Sequence, residues 1–253
     1  MQSSPFAASK FEYKFRFILH GIIYCLGFWA PWNMAKLGDL HLLDHASTGR
    51  EAVFTYLGEH VSMQNEAQFF VGITALMLLL TLLGAFFRVW GTAYVTPAIV
   101  GSRDMHGDAM LADGPFRRTR NPLYLGTLLH TIGVAMIMPP SGAVFTIVLI
   151  WILQIRLALA EEPFLAAKFG APYIDYAKRV PRFLPALRPL IPAAGQKPNW
   201  LQAFLGEFYF VGVFVTIAIF GWGFDPQNMV RGVIISLGVW LVIRALLPQA
   251  KKA

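Results

Sequence analysis

The stretch that decides the fold class lies at residues 67–90 and reads AQFFVGITALMLLLTLLGAFFRVW, with Arg88 as its one charged residue. As a helix it would cross ~30 Å of hydrocarbon. Five further apolar segments occupy residues 15–34, 122–138, 142–160, 201–222 and 229–247. Lipid offers no partner to an exposed backbone, so such segments must be helical. The sequence therefore predicts an all-α, polytopic membrane helix bundle of about six transmembrane helices with cytoplasmic interfacial helices.

Composition and charge support the membrane assignment. The chain is 56% hydrophobic and 14% charged, whereas soluble domains carry ~25% charged residues. Of its 21 Lys and Arg residues, 18 fall on one predicted side of the membrane and three on the other. The positive-inside rule then places both termini and residues 88–121 and 156–200 in the cytoplasm. This pattern predicts an integral membrane protein, typical of a bacterial inner membrane, and excludes a soluble nucleic-acid binder.

The chain shows no internal repeat and no low-complexity linker, which predicts one membrane domain over residues 1–253. The third and fourth predicted helices are joined by little more than residues 139–142, PPSG, so they form an antiparallel hairpin. Their cytoplasmic ends must lie side by side. The single cysteine, Cys25, excludes an intrachain disulfide and a cysteine-rich zinc site.

The first distinctive motif enters this hairpin: residues 114–126 read GPFRRTRNPLYLG. Pro122 suits a first helical turn and Asn121 is a good N-cap residue. Free backbone N–H groups beside Arg120 would form an anion pocket at the membrane surface. The alternative is a capped helix whose arginines contact lipid phosphates.

The second motif leaves the hairpin: residues 154–164 read QIRLALAEEPF. Glu161 and Glu162 are adjacent carboxylates at an apolar boundary, so they need cations or polar ligand groups. Arg156 and the arginines at the neighbouring helix end are the candidates. The alternative is a helix end that simply enters water. Farther on, Tyr173, Tyr176 and Arg179 share a helical face, which predicts an anchor at the membrane interface.

The order of motifs in this chain resembles that of the integral-membrane methyltransferases. The motifs are Gly-Pro-Phe, Arg-Asn-Pro-x-Tyr-x-Gly, a short hairpin, Glu-Glu-Pro-Phe and Phe-Gly-x-x-Tyr-x-x-Tyr. That family includes isoprenylcysteine carboxyl methyltransferases and phospholipid N-methyltransferases. The resemblance covers residues 84–185, within a family-like core of about 67–188, and leaves two extra helices at 201–247. Many carboxyl methyltransferase relatives carry histidine where Asn121 stands. Asn-Pro-x-Tyr with Glu-Glu-Pro-Phe is closer to the phospholipid branch, and the two-tyrosine motif is closer to the carboxyl branch.

The resemblance implies an enzyme that binds S-adenosylmethionine at cytoplasmic helix ends and methylates a membrane lipid or lipid-linked acceptor. The acceptor would be of the phospholipid amine or isoprenylcysteine carboxylate type. Carried onto this chain, the residues expected to bind the cofactor are Leu83, Gly84, Arg120, Asn121, Tyr124, Gly126, Glu161 and Glu162.

The chemistry of these residues suits that cofactor. An arginine at a helix N-terminus suits its α-carboxylate, and carboxylates suit its α-amine and ribose hydroxyls. We expect Arg156 and Glu161 to be catalytic, and an amine acceptor would need Glu161 or Glu162 as its base. Methyl transfer requires no metal. Asp104, His106 and Asp108 alternate in a Gly-rich polar connector, which is typical of a loop rather than a metal site.

Two other functions remain open from the sequence. A sterol-reductase-like membrane enzyme would also hold a cofactor at cytoplasmic helix ends, but would bind NADPH. A non-enzymatic transporter or assembly factor would need polar groups at mid-membrane, and the midspan segments are nearly free of charge.

Overall fold

A computed structural model describes residues 4–29, 48–60, 66–95, 113–223 and 225–246. Every regular element in these ranges is helical, and a short 3-10 turn covers Gly114–Arg117. The helices are α1 (Lys10–Lys14), α2 (Arg16–Trp29), α3 (Gly49–His60), α4 (Glu66–Tyr94), α5 (Pro122–Ala135), α6 (Pro140–Phe169), α7 (Ala171–Arg179), α8 (Trp200–Gly206), α9 (Phe208–Phe220) and α10 (Pro226–Leu246).

The predicted fold class is confirmed: the chain is a polytopic helical membrane protein. Among the described residues, α4, α6 and α10 are long and apolar enough to cross a membrane. The bent pair α8 and α9 would make a fourth span. The helices α2 and α5 are apolar, but their 14 residues each reach only about 21 Å. With α2 and α5 as shorter apolar helices, the described residues are consistent with the predicted bundle of about six transmembrane helices.

Two predicted helix boundaries are wrong. The fourth segment does not end at residue 160, because α6 continues through Pro163 to Phe169 and carries Glu161 and Glu162 within it. The fifth segment, 201–222, is not one helix, because it breaks at Glu207 and bends by 70° between α8 and α9. At this break the Glu207 carboxylate pairs with Arg88 of α4.

The helices α4 and α5 form a closely packed pair, which depends on glycines at their crossing. A Cβ added to Gly84 would lie 2.7 Å from the backbone nitrogen of His130 and 2.8 Å from the carbonyl oxygen of Gly126. A Cβ added to Gly126 would lie 2.8 Å from the carbonyl oxygen of Gly84. Small residues allow helix backbones to approach this closely in membranes.

The two ends of the bundle differ in character. At one end α1 reaches α6 through Tyr13 and Glu161, and Arg244 of α10 stacks over Phe17 of α2. The opposite end is tied by the backbone nitrogen of Gly49 to the carbonyl oxygen of Met138, at 2.8 Å. A buried apolar cluster fills that end, with Met77, Val134, Met138, Val213, Ile217 and Met229 among its members. The first residues of α2 and the last residues of α10 therefore lie at the same end of the bundle. The start of α5 and the end of α6 lie at that end too.

Candidate active site

A cavity of about 440 Å³ opens where α5 begins and α6 finishes. This volume lies within the range of small-molecule binding pockets. Five of the residues predicted to bind a cofactor line it: Arg120, Asn121, Tyr124, Glu161 and Glu162. The hairpin therefore brings the two sequence motifs to one cavity, as its short connection requires.

Glu161 lies in the cavity wall with one oxygen engaged and the other open. Its Oε1 accepts hydrogen bonds from the hydroxyls of Tyr13 and Tyr124, each at 2.7 Å. No described residue donates to its Oε2. The two tyrosines fix the orientation of the carboxylate, and Oε2 can accept a donor from a bound molecule.

Glu162 is buried and fully engaged by the protein. Its oxygens accept from Nε and Nη2 of Arg182 at 2.9 and 2.8 Å. Nη2 of Arg120 lies 3.4 Å from its Oε1. The expectation that this carboxylate needs cations is confirmed, and Arg182 is the partner that sequence reasoning missed. Glu162 thereby holds Arg120, whose Nε is buried with no hydrogen-bond partner in the described part of the chain.

The predicted pairing of Arg156 with these carboxylates is wrong. Its Nε and Nη2 donate to the two oxygens of Glu12, each at 2.8 Å, and the side chain does not line the cavity. Five residues at 100° each put Arg156 about 140° around the helix from Glu161. The Arg156 guanidinium lowers the pKa of Glu12 to about 2. Arg156 therefore docks α1 onto α6, and its catalytic role stays a prediction that this position does not support.

Asn121 occupies the N-cap position of α5, but its side chain does not cap the helix. Its Nδ2 instead donates to the carbonyl oxygen of Arg182 at 3.1 Å and lies 3.5 Å from Oε1 of Glu162. The expected capping bond is thus replaced by contacts with Arg182, which follows α7, and with Glu162 of α6. Asn121 still lines the cavity.

Three residues predicted to bind the cofactor do not line the cavity. Gly84 and Gly126 lie at the crossing of α4 with α5, where each packs against the other's backbone. Leu83, next to Gly84, is also absent from the cavity wall. The cavity gives no support to cofactor contact at these three positions, which stays a prediction, and the two glycines serve the close approach of two helices.

The three residues of the predicted interfacial anchor, Tyr173, Tyr176 and Arg179, lie in different environments. Tyr173 and Tyr176 are buried and line the cavity, and the Tyr176 hydroxyl donates to the carbonyl oxygen of Phe116 at 2.9 Å. Burial raises the pKa of both tyrosines. Arg179 is exposed and pairs with Asp175 at 2.7 Å. The tyrosines thus close the site rather than anchor the chain.

The segment that follows α7 closes the same end of the cavity. The backbone nitrogen of Arg120 donates to the carbonyl oxygen of Pro181 at 2.8 Å, and Thr119 Oγ1 donates to that of Phe183 at 3.0 Å. Asp113 accepts from the backbone nitrogens of Ala194 and Gln196, at 2.9 and 2.7 Å. These bonds hold residues 180–196 against the loop that enters α5.

Sequence reasoning missed the N-terminal contribution to the site. Tyr13, Arg16 and His20 line the cavity, although they precede every motif used in the prediction. Nε2 of His20 lies 2.6 Å from Nε2 of Gln154, and the Arg16 guanidinium stacks 4.4 Å from the Tyr13 ring. The sequence signal that could have indicated this contribution is the cluster of aromatic and basic residues just before the first apolar helix.

The described residues contain no group of three or more His, Cys, Asp or Glu side chains that could hold a metal ion. Asp104, His106 and Asp108, considered above as metal ligands, lie outside the described residues.

Comparison with known proteins supports the resemblance. Residues 69–172 match the family model described as phospholipid methyltransferase. Protein-S-isoprenylcysteine O-methyltransferase B of Arabidopsis thaliana is 31% identical over 77 residues, which cover 30% of this chain and 39% of that relative. The chain thus spans about two fifths of the relative's length. No solved structure matches the chain. These matches support the predicted membrane methyltransferase family over residues 69–172.

Proposed function

We propose that this protein transfers a methyl group from S-adenosylmethionine to a lipid or lipid-linked acceptor at the membrane. One observation carries the proposal. Within the family segment, a cavity brings a buried arginine donor, Arg120, to the same chamber as an open carboxylate oxygen of Glu161. The same cavity continues between apolar helices.

The donor set of the cavity fits the chemistry of that cofactor. Nε of Arg120 has no partner among the described residues and suits an α-carboxylate. Oε2 of Glu161 accepts from no donor within the described ranges and suits an ammonium or a ribose hydroxyl. The bound cofactor supplies a methyl group on a positively charged sulfur. Arg120, Asn121, Tyr124, Glu161 and Glu162 are the residues that would hold it.

The chain contributes orientation and exclusion of water. Tyr13 and Tyr124 fix the Glu161 carboxylate, while Glu162 and Arg182 fix Arg120. Tyr173 and Tyr176 are buried and line the cavity. Alignment of this kind is worth up to ~7 kcal/mol or more of an activation barrier. The acceptor atom donates a lone pair to the methyl carbon, and the pair of the broken sulfur–carbon bond stays on sulfur.

The charges in the cavity favour an acceptor without positive charge. Three arginines and three glutamates line it: Arg16, Arg88, Arg120, Glu161, Glu162 and Glu207. Because these balance, the bound cofactor adds a net positive charge, and a second cation would be repelled in a poorly solvated cavity. A carboxylate acceptor needs no base and leaves a neutral ester. This favours the isoprenylcysteine carboxylate type, in keeping with the name of the Arabidopsis relative, over a phospholipid ammonium.

The test is calorimetry on the detergent-purified full chain. S-adenosylmethionine should bind, and Arg120→Gln should weaken that binding by about tenfold or more, equivalent to 1.4 kcal/mol. Arg179→Gln is the matched control, because Arg179 is exposed and pairs only with Asp175 among the contacts described. Methylated lipids formed from labelled cofactor would then be identified by mass spectrometry. Binding of NADPH with no response to S-adenosylmethionine would favour the reductase-like alternative and contradict the proposal.

A further inference from the structure

The first helix, α1, has two faces of opposite character. One face contacts α6, where the Glu12 carboxylate accepts two hydrogen bonds of 2.8 Å from Arg156. The Tyr13 hydroxyl donates to Oε1 of Glu161 at 2.7 Å. The backbone nitrogen of Ala8 adds a bond of 2.8 Å to the carbonyl oxygen of Arg156. This face therefore ties the start of the chain to the wall of the cavity.

The other face of α1 is exposed, aromatic and basic. Phe6, just before the helix, and Phe11 are 70% and 63% exposed. Lys10 and Lys14 are exposed beside them, and the rings of Phe11 and Phe15 pack 4.8 Å apart. Because the one carboxylate of α1 is paired on the α6 side, the charge of the exposed face is positive.

The exposed face of α1 continues into a stripe along α2. The helical path passes through Phe15, whose backbone nitrogen donates to Phe11 and whose carbonyl oxygen accepts from Leu19, at 3.0 and 2.9 Å. Beyond Phe15, apolar residues that are 44% to 60% exposed follow at intervals of three or four, at Ile18, Ile22, Leu26 and Trp29. In a helical membrane protein such a stripe faces hydrocarbon. The exposed face of α1 therefore lies where this stripe reaches the lipid headgroups.

The charge and the aromatic rings of this face identify the surface that it meets. The distribution of Lys and Arg places this end of the bundle at the cytoplasmic leaflet, whose anionic lipids attract nearby cations. Phenyl rings insert at the boundary between headgroups and acyl chains, and lysines beside them reach the phosphates. The partner that fits the exposed face is an anionic lipid surface.

The position of α1 depends on contacts at both faces. A helix of five residues is not stable by itself in water. On the α6 side, the Arg156 and Glu12 side chains are 29% and 25% exposed, so their ion pair contributes modestly. The exposed face meets the headgroups in the same position in which Tyr13 meets Glu161. Lipid binding and docking on α6 therefore favour each other.

We propose that the exposed face of α1 binds anionic headgroups of the cytoplasmic leaflet, and that this contact holds Tyr13 on Glu161. The lipid charge of the membrane would thereby regulate the cavity. Without the contact, Glu161 keeps only the Tyr124 hydroxyl to orient its carboxylate. The lipid contact stands on the residues of α1, whereas its effect on S-adenosylmethionine rests on the proposed function.

Hydrogen–deuterium exchange of the full chain in lipid nanodiscs measures the contact. One set of nanodiscs contains phosphatidylcholine, and the other also contains the anionic lipid phosphatidylglycerol. The amide of Ala8 reports docking, because it donates to the carbonyl oxygen of Arg156. Phosphatidylglycerol should slow exchange over residues 8–15 about fivefold, and high salt should remove the difference. Equal exchange in the two lipids overturns the proposal.

Matched double variants distinguish the two lysines of α1 from surface charge in general. Lys10→Gln combined with Lys14→Gln should reduce the slowing by phosphatidylglycerol to less than about twofold. Lys178→Gln combined with Lys197→Gln removes two exposed lysines, one on α7 and one after it, and should keep the slowing of about fivefold. Loss of the slowing in both double variants overturns the proposal, because the effect would then not belong to α1.

Tyr13→Phe tests whether the position of α1 is coupled to the cavity. The change keeps the ring and removes the hydrogen bond to Glu161. Exchange of the Ala8 amide should therefore become about fivefold faster in both lipids, which corresponds to the loss of one hydrogen bond. Unchanged exchange in Tyr13→Phe would show that the contact with Glu161 does not hold α1, and would overturn the proposal.

Calorimetry with S-adenosylmethionine in the same nanodiscs separates this proposal from the proposed function. The cofactor is a cation, so phosphatidylglycerol concentrates it near the membrane in every variant. The gain in affinity from phosphatidylglycerol should therefore be about fivefold larger in the parent than in Tyr13→Phe. Equal gains in the two proteins overturn the regulation and leave the proposed function standing. If the parent binds no S-adenosylmethionine while exchange responds as expected, the proposed function fails and the lipid contact stands.

Discussion

Two adjacent glutamates, identical in side chain, have different environments at the scale of the single residue. Glu161 receives two tyrosine hydroxyls on Oε1 and keeps Oε2 open to the cavity. Glu162 is buried against Arg182 and Arg120. Consecutive helical positions point about 100° apart, which is why one faces the chamber and the other faces the segment after α7.

This difference predicts opposite effects of the same substitution. Glu161→Gln should weaken S-adenosylmethionine binding about tenfold, and cost less than about 1 kcal/mol of folding stability, because an amide oxygen still accepts from both tyrosines. Glu162→Gln should lower the free energy of unfolding by about 3 kcal/mol, because it leaves the two arginines without their counter-charge. Calorimetry and denaturant unfolding of both variants check this. Equal effects on binding and stability would contradict the division of roles.

The sequence predicted the site residues that lie in the two motifs, since a four-residue connection forces the hairpin ends together. It could not predict partners far along the chain. Tyr13 and Glu161 are 148 positions apart, and Arg88 and Glu207 are 119 apart. It also could not show that Gly84 and Gly126 lie at a helix crossing, because a glycine that contacts a ligand and one that permits a crossing look the same in a sequence.

At the scale of the helix, α1 is held to α6 by the pair of Glu12 and Arg156. The guanidinium lowers the Glu12 pKa from 4.5 to about 2. Because the folded-state pKa is depressed, the stabilisation is complete above pH 4.5 and is lost as the pH falls toward 2. As the pH falls over this range, the melting temperature of the parent protein should therefore decrease more steeply than that of the Glu12→Gln variant. Parallel curves for the two proteins, in thermal melts taken at several pH values, would count against the ion pair.

The junction of α4 with the C-terminal helices depends on Arg88 and Glu207. Removing either partner alone, as in Arg88→Met or Glu207→Leu, should cost about 3–5 kcal/mol, because a buried charge is left unpaired. The double variant should recover most of this loss, since two apolar side chains can fill the space. The free energies of unfolding of the parent, the two single variants and the double variant form a double-mutant cycle. Additive losses in this cycle would show that Arg88 and Glu207 do not interact energetically.

At the scale of the whole molecule, the arrangement of ends agrees with the charge pattern of the sequence. The helix α2 begins, and α10 ends, at the end of the bundle that carries Arg120 and Glu161. The distribution of Lys and Arg predicts that this end is cytoplasmic. The lengths of the individual helices could not be predicted, because α2 and α5 are short and because the break at Glu207 has no local signal.

Reporter fusions test this orientation. A reporter at Ala253 should report the cytoplasm, and one at Thr48 should report the opposite side, because Thr48 precedes α3 at the far end of the bundle. A Thr48 reporter on the same side as Ala253 would mean that α2 does not cross the membrane.

The pairing of Arg88 with Glu207 also has a consequence for how the protein is made. A ribosome adds about 5–20 residues each second, so the 119 positions between the two partners take roughly 6–24 s to synthesise. During that interval α4 has emerged with a cation in its apolar stretch and no carboxylate to meet it. The nascent chain must therefore keep Arg88 near the lipid headgroups or inside the insertion machinery until the last hairpin arrives.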